Sequence, residues 1–155
     1  MSKPSARKPT VVTSGYDTSI GRVAIAAALV VLGIAWIAVY YMVARDAALA
    51  VPGLKKPSNP IPFMADLEKW NYLIGFGLIF LGLSVSAHKD TPMGRGRGVV
   101  GGMLGCFLIG LVWIVLFYFI GSDSSVPVLN DLGQYNLLVG IGFMAVGFTF
   151  ATKWE

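Results

Sequence analysis

The chain has 155 residues, of which 55% are hydrophobic and 13% charged, with a formal net charge of +4. The charged share is about half that of an average soluble domain, and a soluble fold of this length has too little interior to hide so much apolar surface. The basic residues lack interleaved base-stacking aromatics, which argues against a nucleic-acid partner, and the lone Cys106 excludes an internal disulfide.

The first segment, residues 1–22, carries Lys3, Arg7, Lys8 and Arg22 and reads as a basic cytoplasmic tail. Val23–Val43 follows, 21 residues without a charge. It is longer than the ~7–15 apolar residues of a signal sequence, so it is expected to remain as a helix. Trp70–Ala87 and Tyr135–Thr152 are 18 uncharged residues each, and Val99–Ile120 is 22. A helix needs ~20 residues to cross a ~30 Å hydrocarbon core. Unbroken apolar runs without alternation do not suit a barrel, so the sequence predicts an all-α membrane protein with four transmembrane helices. The expected divisions are a tail (1–22), a first hairpin (23–90), a basic Gly-rich linker (91–98) and a second hairpin (99–155). Cys106, inside the third run, is expected to be a small packing residue.

Eight of the twelve basic residues lie on one side of this arrangement: the four of the tail, then Lys89, Arg95, Arg97 and Lys153. That side sums to +5 and the other to −1. Positive loops favour the cytoplasm, which predicts both termini inside. Anionic lipid headgroups account for the basic flanks, Lys3, Arg7, Lys8, Arg95 and Arg97 included.

The chain also repeats itself. DLEKWNYLIGFG (66–77) returns as DLGQYNLLVGIG (131–142), 65 residues on, and LGIAWIAVYY (32–41) returns as IGLVWIVLFY (109–118) at an offset of 77. Trp36 thus matches Trp113, Asp66 matches Asp131, Trp70 matches Tyr135 and Asn71 matches Asn136. Each unit holds two crossings, so the copies share one orientation and form a parallel repeat about an axis along the membrane normal. Pro62 and Pro127 each precede a short interfacial helical turn. Asp66 and Asp131 are placed to cap the next helix, and Asn71 and Asn136 to cap it or to bond across the hairpin. Trp70 and Tyr135 suit headgroup depth. Gly75, Gly82, Gly140 and Gly147, with Gly101 and Gly105 of the third run, are small-residue positions for close helix packing or for docking a partner. The Gly-rich faces of the two hairpins are expected to bury against each other.

No apolar run contains Asp, Glu, Lys or Arg, which weighs against a pump, channel or transporter. His88 is the only histidine, and no His, Cys and carboxylate grouping has metal-ligand spacing. GRGRG (94–98) lacks the Lys-Ser/Thr ending of a phosphate loop and reads as a flexible basic linker. These features predict no enzyme, no cofactor and no small-molecule substrate.

WNYLIGFGLIFLGLSVSAHK (70–89) and YNLLVGIGFMAVGFTFATKW (135–154) each resemble the second helix of CrgA, the small actinobacterial cell-division membrane protein. Each preceding Gly-x-x-Trp helix and the tail SKPSARKP are similar to that family as well, so the resemblance covers nearly the whole chain, once per half. It implies a non-enzymatic adaptor in the plasma membrane at the septum. Its partners would be membrane lipid, divisome proteins and septal penicillin-binding proteins. The usual family member is a single hairpin, and this chain has two. The rival reading is a small accessory subunit of a large actinobacterial membrane complex, such as a respiratory supercomplex, whose subunits would then be the partners.

Overall fold

The computed structural model describes residues 17–51, 53, 55, 57, 58, 60–120 and 126–153. Lys3, Arg7 and Lys8 lie outside the described residues, as do Lys56, Asp123 and Trp154.

Every regular element among the described residues is helical. Helix α1 spans Ile20–Val39, runs into a π-helical turn at Tyr40–Ala44 and ends in the single turn α2, Arg45–Ala48. A short helix α3, Pro62–Leu67, leads into α4, Trp70–Ser86. The second copy follows: α5, Arg97–Ile120, the short α6, Pro127–Leu132, and α7, Tyr135–Ala151. Two helical stretches, Ile20–Ala48 and Arg97–Ile120, are long and apolar enough to cross a bilayer, and α4 and α7 are apolar but only 17 residues each. Proline stands at the first turn of both α3 and α6, where its missing N–H leaves nothing unpaired and its fixed φ suits the helix.

Helix α1 packs along α4, α5 along α7, and the two hairpins meet where α4 touches α7. The helices therefore stand in a row, α1–α4–α7–α5, with the long members on the flanks. Glycines set the spacing inside each hairpin. A Cβ on Gly33 would stand 2.5 Å from the Gly75 carbonyl oxygen, and one on Gly110 would stand 2.6 Å from that of Gly140. In return, a Cβ on Gly75 or Gly140 would meet Ile37 or Ile114. Without a hydrophobic drive in lipid, such close backbone approach is what holds helices together.

This corrects one expectation. Gly75, Gly82, Gly140 and Gly147 face their own hairpin partner rather than the other hairpin. Between hairpins the filling is aromatic. Phe80 meets Phe143 edge-on at 5.1 Å, Phe76 meets Trp113 at 5.7 Å, and Phe80 lies over Gly142. The physical reason is reach, since two antiparallel neighbours joined by one loop lie side by side along most of the shorter helix and gain most from backbone contact. The hairpins touch over a shorter stretch, where large rings cover more area. A second buried cluster, Ala87, Val99, Cys106, Val146 and Phe150, closes the opposite end. Cys106 packs there as expected.

The linker is more built than its composition suggests. Pro92–Gly94 forms a 3-10 turn, and the Thr91 hydroxyl accepts from the Gly94 amide at 3.1 Å while donating to the His88 carbonyl at 2.7 Å. A side chain on Gly94 would strike the His88 carbonyl, and one on Gly98 the Pro92 carbonyl. The turn is therefore a fitted connection rather than a loose tether. Arg22 pairs with Asp90 beside His88, which ties the start of α1 to this turn.

Candidate functional site: the junction between the hairpins

The junction is built at the α3 and α6 end of the row. There Asp131, at the end of α6, receives two bonds from Arg45 of the first copy: Nε to Oδ2 at 2.5 Å and Nη2 to Oδ1 at 2.8 Å. The fork matches a carboxylate in both geometry and charge. The Tyr72 hydroxyl, from α4, donates to Oδ2 at 2.9 Å. Tyr72 is 1% exposed and stacks edge-on against Tyr40 at 5.2 Å. The Asp131 side chain is 9% exposed and that of Arg45 21%. Burial by itself would raise the Asp131 carboxyl, but the bonds from Arg45 and Tyr72 outweigh it and hold it below the usual carboxylate range. The π-helical turn at Tyr40–Ala44 immediately precedes Arg45. Such a turn rotates every residue after it, and turns of this kind are frequent at functional sites.

Asp131 therefore does not cap α7. The residue at that cap is Gln134, and at α4 it is Lys69, and neither cap has a side-chain bond. Both Asp131 oxygens instead accept from Arg45 of the other hairpin. Asn71 and Asn136 also act otherwise than expected. Each amide nitrogen donates back to the short helix before it: Asn71 to the carbonyls of Met64 (2.6 Å) and Glu68 (3.0 Å), Asn136 to those of Leu129 (2.7 Å) and Gly133 (2.8 Å). These bonds fold α3 over α4 and α6 over α7. The Oδ1 atoms of both asparagines and the indole nitrogens of Trp36 and Trp113 are buried without a hydrogen-bond partner among the described residues. Trp36 lies against Phe63 of α3 at 6.3 Å.

The remaining candidates divide. Trp70 and Tyr135 are 65% and 56% exposed at matching places on α4 and α7. A Cβ on Gly82 would stand 2.7 Å from Val30 and 2.8 Å from the Ala26 carbonyl oxygen, whereas one on Gly147 would be less crowded but still snug, 3.3–3.4 Å from Phe107, Cys106 and the Met103 carbonyl oxygen. A Cβ on Gly101 or Gly105 would meet nothing within 4 Å, and both lie beside the exposed Leu104 and Leu108. Asp66 is exposed. Arg95 donates to Thr18 at 2.5 Å, and Arg97 begins α5.

Arg45 and Tyr72 escape a reading that follows the repeat, because Tyr72 aligns with Leu137. The break in symmetry was the available signal. Gly33 and Gly110 are visible in the repeat, but their partners are not.

A groove of about 430 Å³ opens between α4 and α7. Its walls are Tyr72, Leu73, Phe76, Phe80, Leu132, Leu138 and Val139, and Glu68, Lys69, Trp70 and Tyr135 also line it. Glu68 has φ +43°, where its repeat counterpart is Gly133 at φ +48°. A side chain in so sparsely populated a conformation costs on the order of 1–3 kcal/mol.

Comparison with known proteins agrees with the doubled architecture. The family described as "Cell division protein CrgA" matches twice, at residues 2–89 and 88–155. A cell division protein CrgA of Streptomyces avermitilis is 49% identical over 53 residues, 34% of this chain and 60% of that protein. One of Corynebacterium glutamicum (strain R) is 38% identical over 82 residues, 53% of this chain and 76% of that protein. One of Mycobacterium sp. (strain KMS) is 34% identical over 80 residues, 52% of this chain and 77% of that protein. No solved structure matches the chain. These relatives are named for division and lend nothing to the reading as a respiratory accessory subunit.

Proposed function

The chain belongs to the CrgA family of cell division proteins, matched once by each hairpin, and from that premise we propose that it is a non-enzymatic adaptor of the plasma membrane that recruits division and septal wall-synthesis proteins through helix contacts. In this reading α1, α4, α5 and α7 all span the bilayer, both ends are cytoplasmic, and the hairpins are two docking modules held in one orientation.

The observation that carries the reading is the row arrangement. Both long helices stand on the flanks, and α5 carries an unfilled small-residue face, Gly101 and Gly105 beside Leu104 and Leu108. Glycines that serve internal packing are filled by a neighbour here, as Gly33 and Gly110 are. An unfilled pair on a lipid-facing helix suits close approach by a partner helix. The test is co-purification from a dividing host. Gly101→Ile and Gly105→Ile are expected to leave thermal unfolding of the protein unchanged and to reduce recovery of septal membrane proteins several-fold. Undiminished recovery of those partners with both variants would remove the proposed docking face.

Topology has its own check, motivated by the basic bias of the tail and linker. A reporter that works only in the cytoplasm is expected to be active when fused after Glu155 and inactive when placed in the α2–α3 loop. Activity of an export-dependent reporter after Glu155 would overturn the arrangement with both ends inside.

A further inference from the structure

We propose that the groove between α4 and α7 is a site for one zwitterionic aminophospholipid, its acyl chain lying along the apolar wall and its headgroup held by Lys69 and Glu68. The inference rests on the membrane-spanning reading. The volume of about 430 Å³ falls within the ~300–1,000 Å³ of ligand sites. Leu73, Phe76, Leu138 and Val139 offer hydrocarbon contacts only. At the same groove the first copy places a carboxylate and an ammonium on adjacent residues, Glu68 and Lys69, where the second copy has Gly133 and Gln134. An ethanolamine headgroup carries the complementary pair, a phosphate for Lys69 and a primary ammonium for Glu68. A choline headgroup cannot donate a hydrogen bond to Glu68, and a glycerol headgroup has no cation. Glu68 also occupies a glycine-type conformation, φ +43°. Strain of this kind gathers at ligand-holding positions, and here it is borne by the residue that supplies the carboxylate.

The experiment uses the full chain in detergent, with phosphatidylethanolamine, phosphatidylglycerol or phosphatidylcholine added. Native mass spectrometry and thermal unfolding are the readouts. Wild type is expected to retain phosphatidylethanolamine about tenfold better than the other two, the factor that a charge-assisted hydrogen bond supplies. Glu68→Gly is expected to raise the lipid-free Tm, because the strain is relieved, and to abolish the preference. Lys69→Glu should also abolish it, and Leu138→Trp should reduce retention of all three lipids. Equal retention of the three lipids by wild type, a preference that survives Glu68→Gly, or a second copy cross-linked into a lipid-free groove would each overturn the proposal. Alkaline washing of membranes reports separately on the spanning reading. Release of the chain defeats both, whereas a chain that stays in the membrane without lipid preference defeats the lipid site alone.

Discussion

A single methyl group at Gly33 or Gly110 is expected to loosen its hairpin. At each position a Cβ would stand 2.5–2.6 Å from a backbone carbonyl of the facing helix, Gly75 or Gly140. A side chain in the way can rotate, but a carbonyl in the middle of a helix moves only with the helix. The axes must separate, and the loss spreads to neighbouring contacts along the seam, such as Ile37 over Gly75 and Val30 against Gly82. Overpacking of this kind costs about 1–3 kcal/mol, and in lipid no hydrophobic gain returns when helices part. Gly33→Ala and Gly110→Ala are therefore expected to lower the Tm in detergent by several degrees and to broaden the size-exclusion peak. Gly82→Ile should act in the same direction. Gly147→Ile should act more weakly, because the atoms 3.3–3.4 Å from where a Cβ would stand need give by only a few tenths of an ångström, against a clash of 2.7–2.8 Å at Gly82. Gly101→Ala should have no effect. A Tm for Gly33→Ala equal to that of wild type would show that the seam yields, and the backbone-contact account of the hairpin would fail.

That ranking marks how far the sequence alone reaches. Four apolar runs, two short helical turns begun by Pro62 and Pro127, and the doubling itself are local or periodic properties, and all can be read by eye. Which glycine faces which helix is not local. Gly82 and Gly147 are equivalent in the repeat, yet they are not equally tight: Val30 and the Ala26 carbonyl would stand 2.7–2.8 Å from a Cβ on the first, while Phe107, Cys106 and the Met103 carbonyl would stand 3.3–3.4 Å from one on the second. Gly101 and Gly105 have the same four-residue spacing that usually marks a packed seam, but Gly102 is the α5 glycine that Phe150 fills. A rotation of one residue around the helix separates the two outcomes, and spacing cannot fix that rotation. Asp131 illustrates the other limit. Its place before a helix suggests a cap, and only the fold brings Arg45 from 86 residues away to claim it.

Removing Arg45 is the second large effect expected, and its size depends on what becomes of Asp131. With Arg45→Ala the carboxylate, 9% exposed in the intact pair, loses both arginine bonds and keeps the Tyr72 hydroxyl as its side-chain donor. Breaking a fully buried pair by deleting one partner costs about 3–5 kcal/mol. Arg45 is partly solvated, so the expected loss is smaller, on the order of 2–3 kcal/mol. Deleting the charge as well should return much of it, so Arg45→Ala with Asp131→Asn is expected to be more stable than Arg45→Ala alone. Non-additivity of that sort is what a double-mutant cycle isolates. Acid offers an independent check with a definite sign. The Asp131 carboxyl is held below its ordinary value in the fold, so its contribution is complete above the ordinary carboxylate pKa of ~3.9 and is lost as pH falls through the lower folded value. Thermal stability of wild type is thus expected to fall below about pH 4, and Asp131→Asn should flatten that part of the curve while lying beneath wild type at pH 7. Additive losses in the cycle, or an acid limb that survives Asp131→Asn unchanged, would mean that the hairpins are joined by their aromatic faces alone. The Arg45–Asp131 pair would then be a surface contact that the π-helical turn happens to aim.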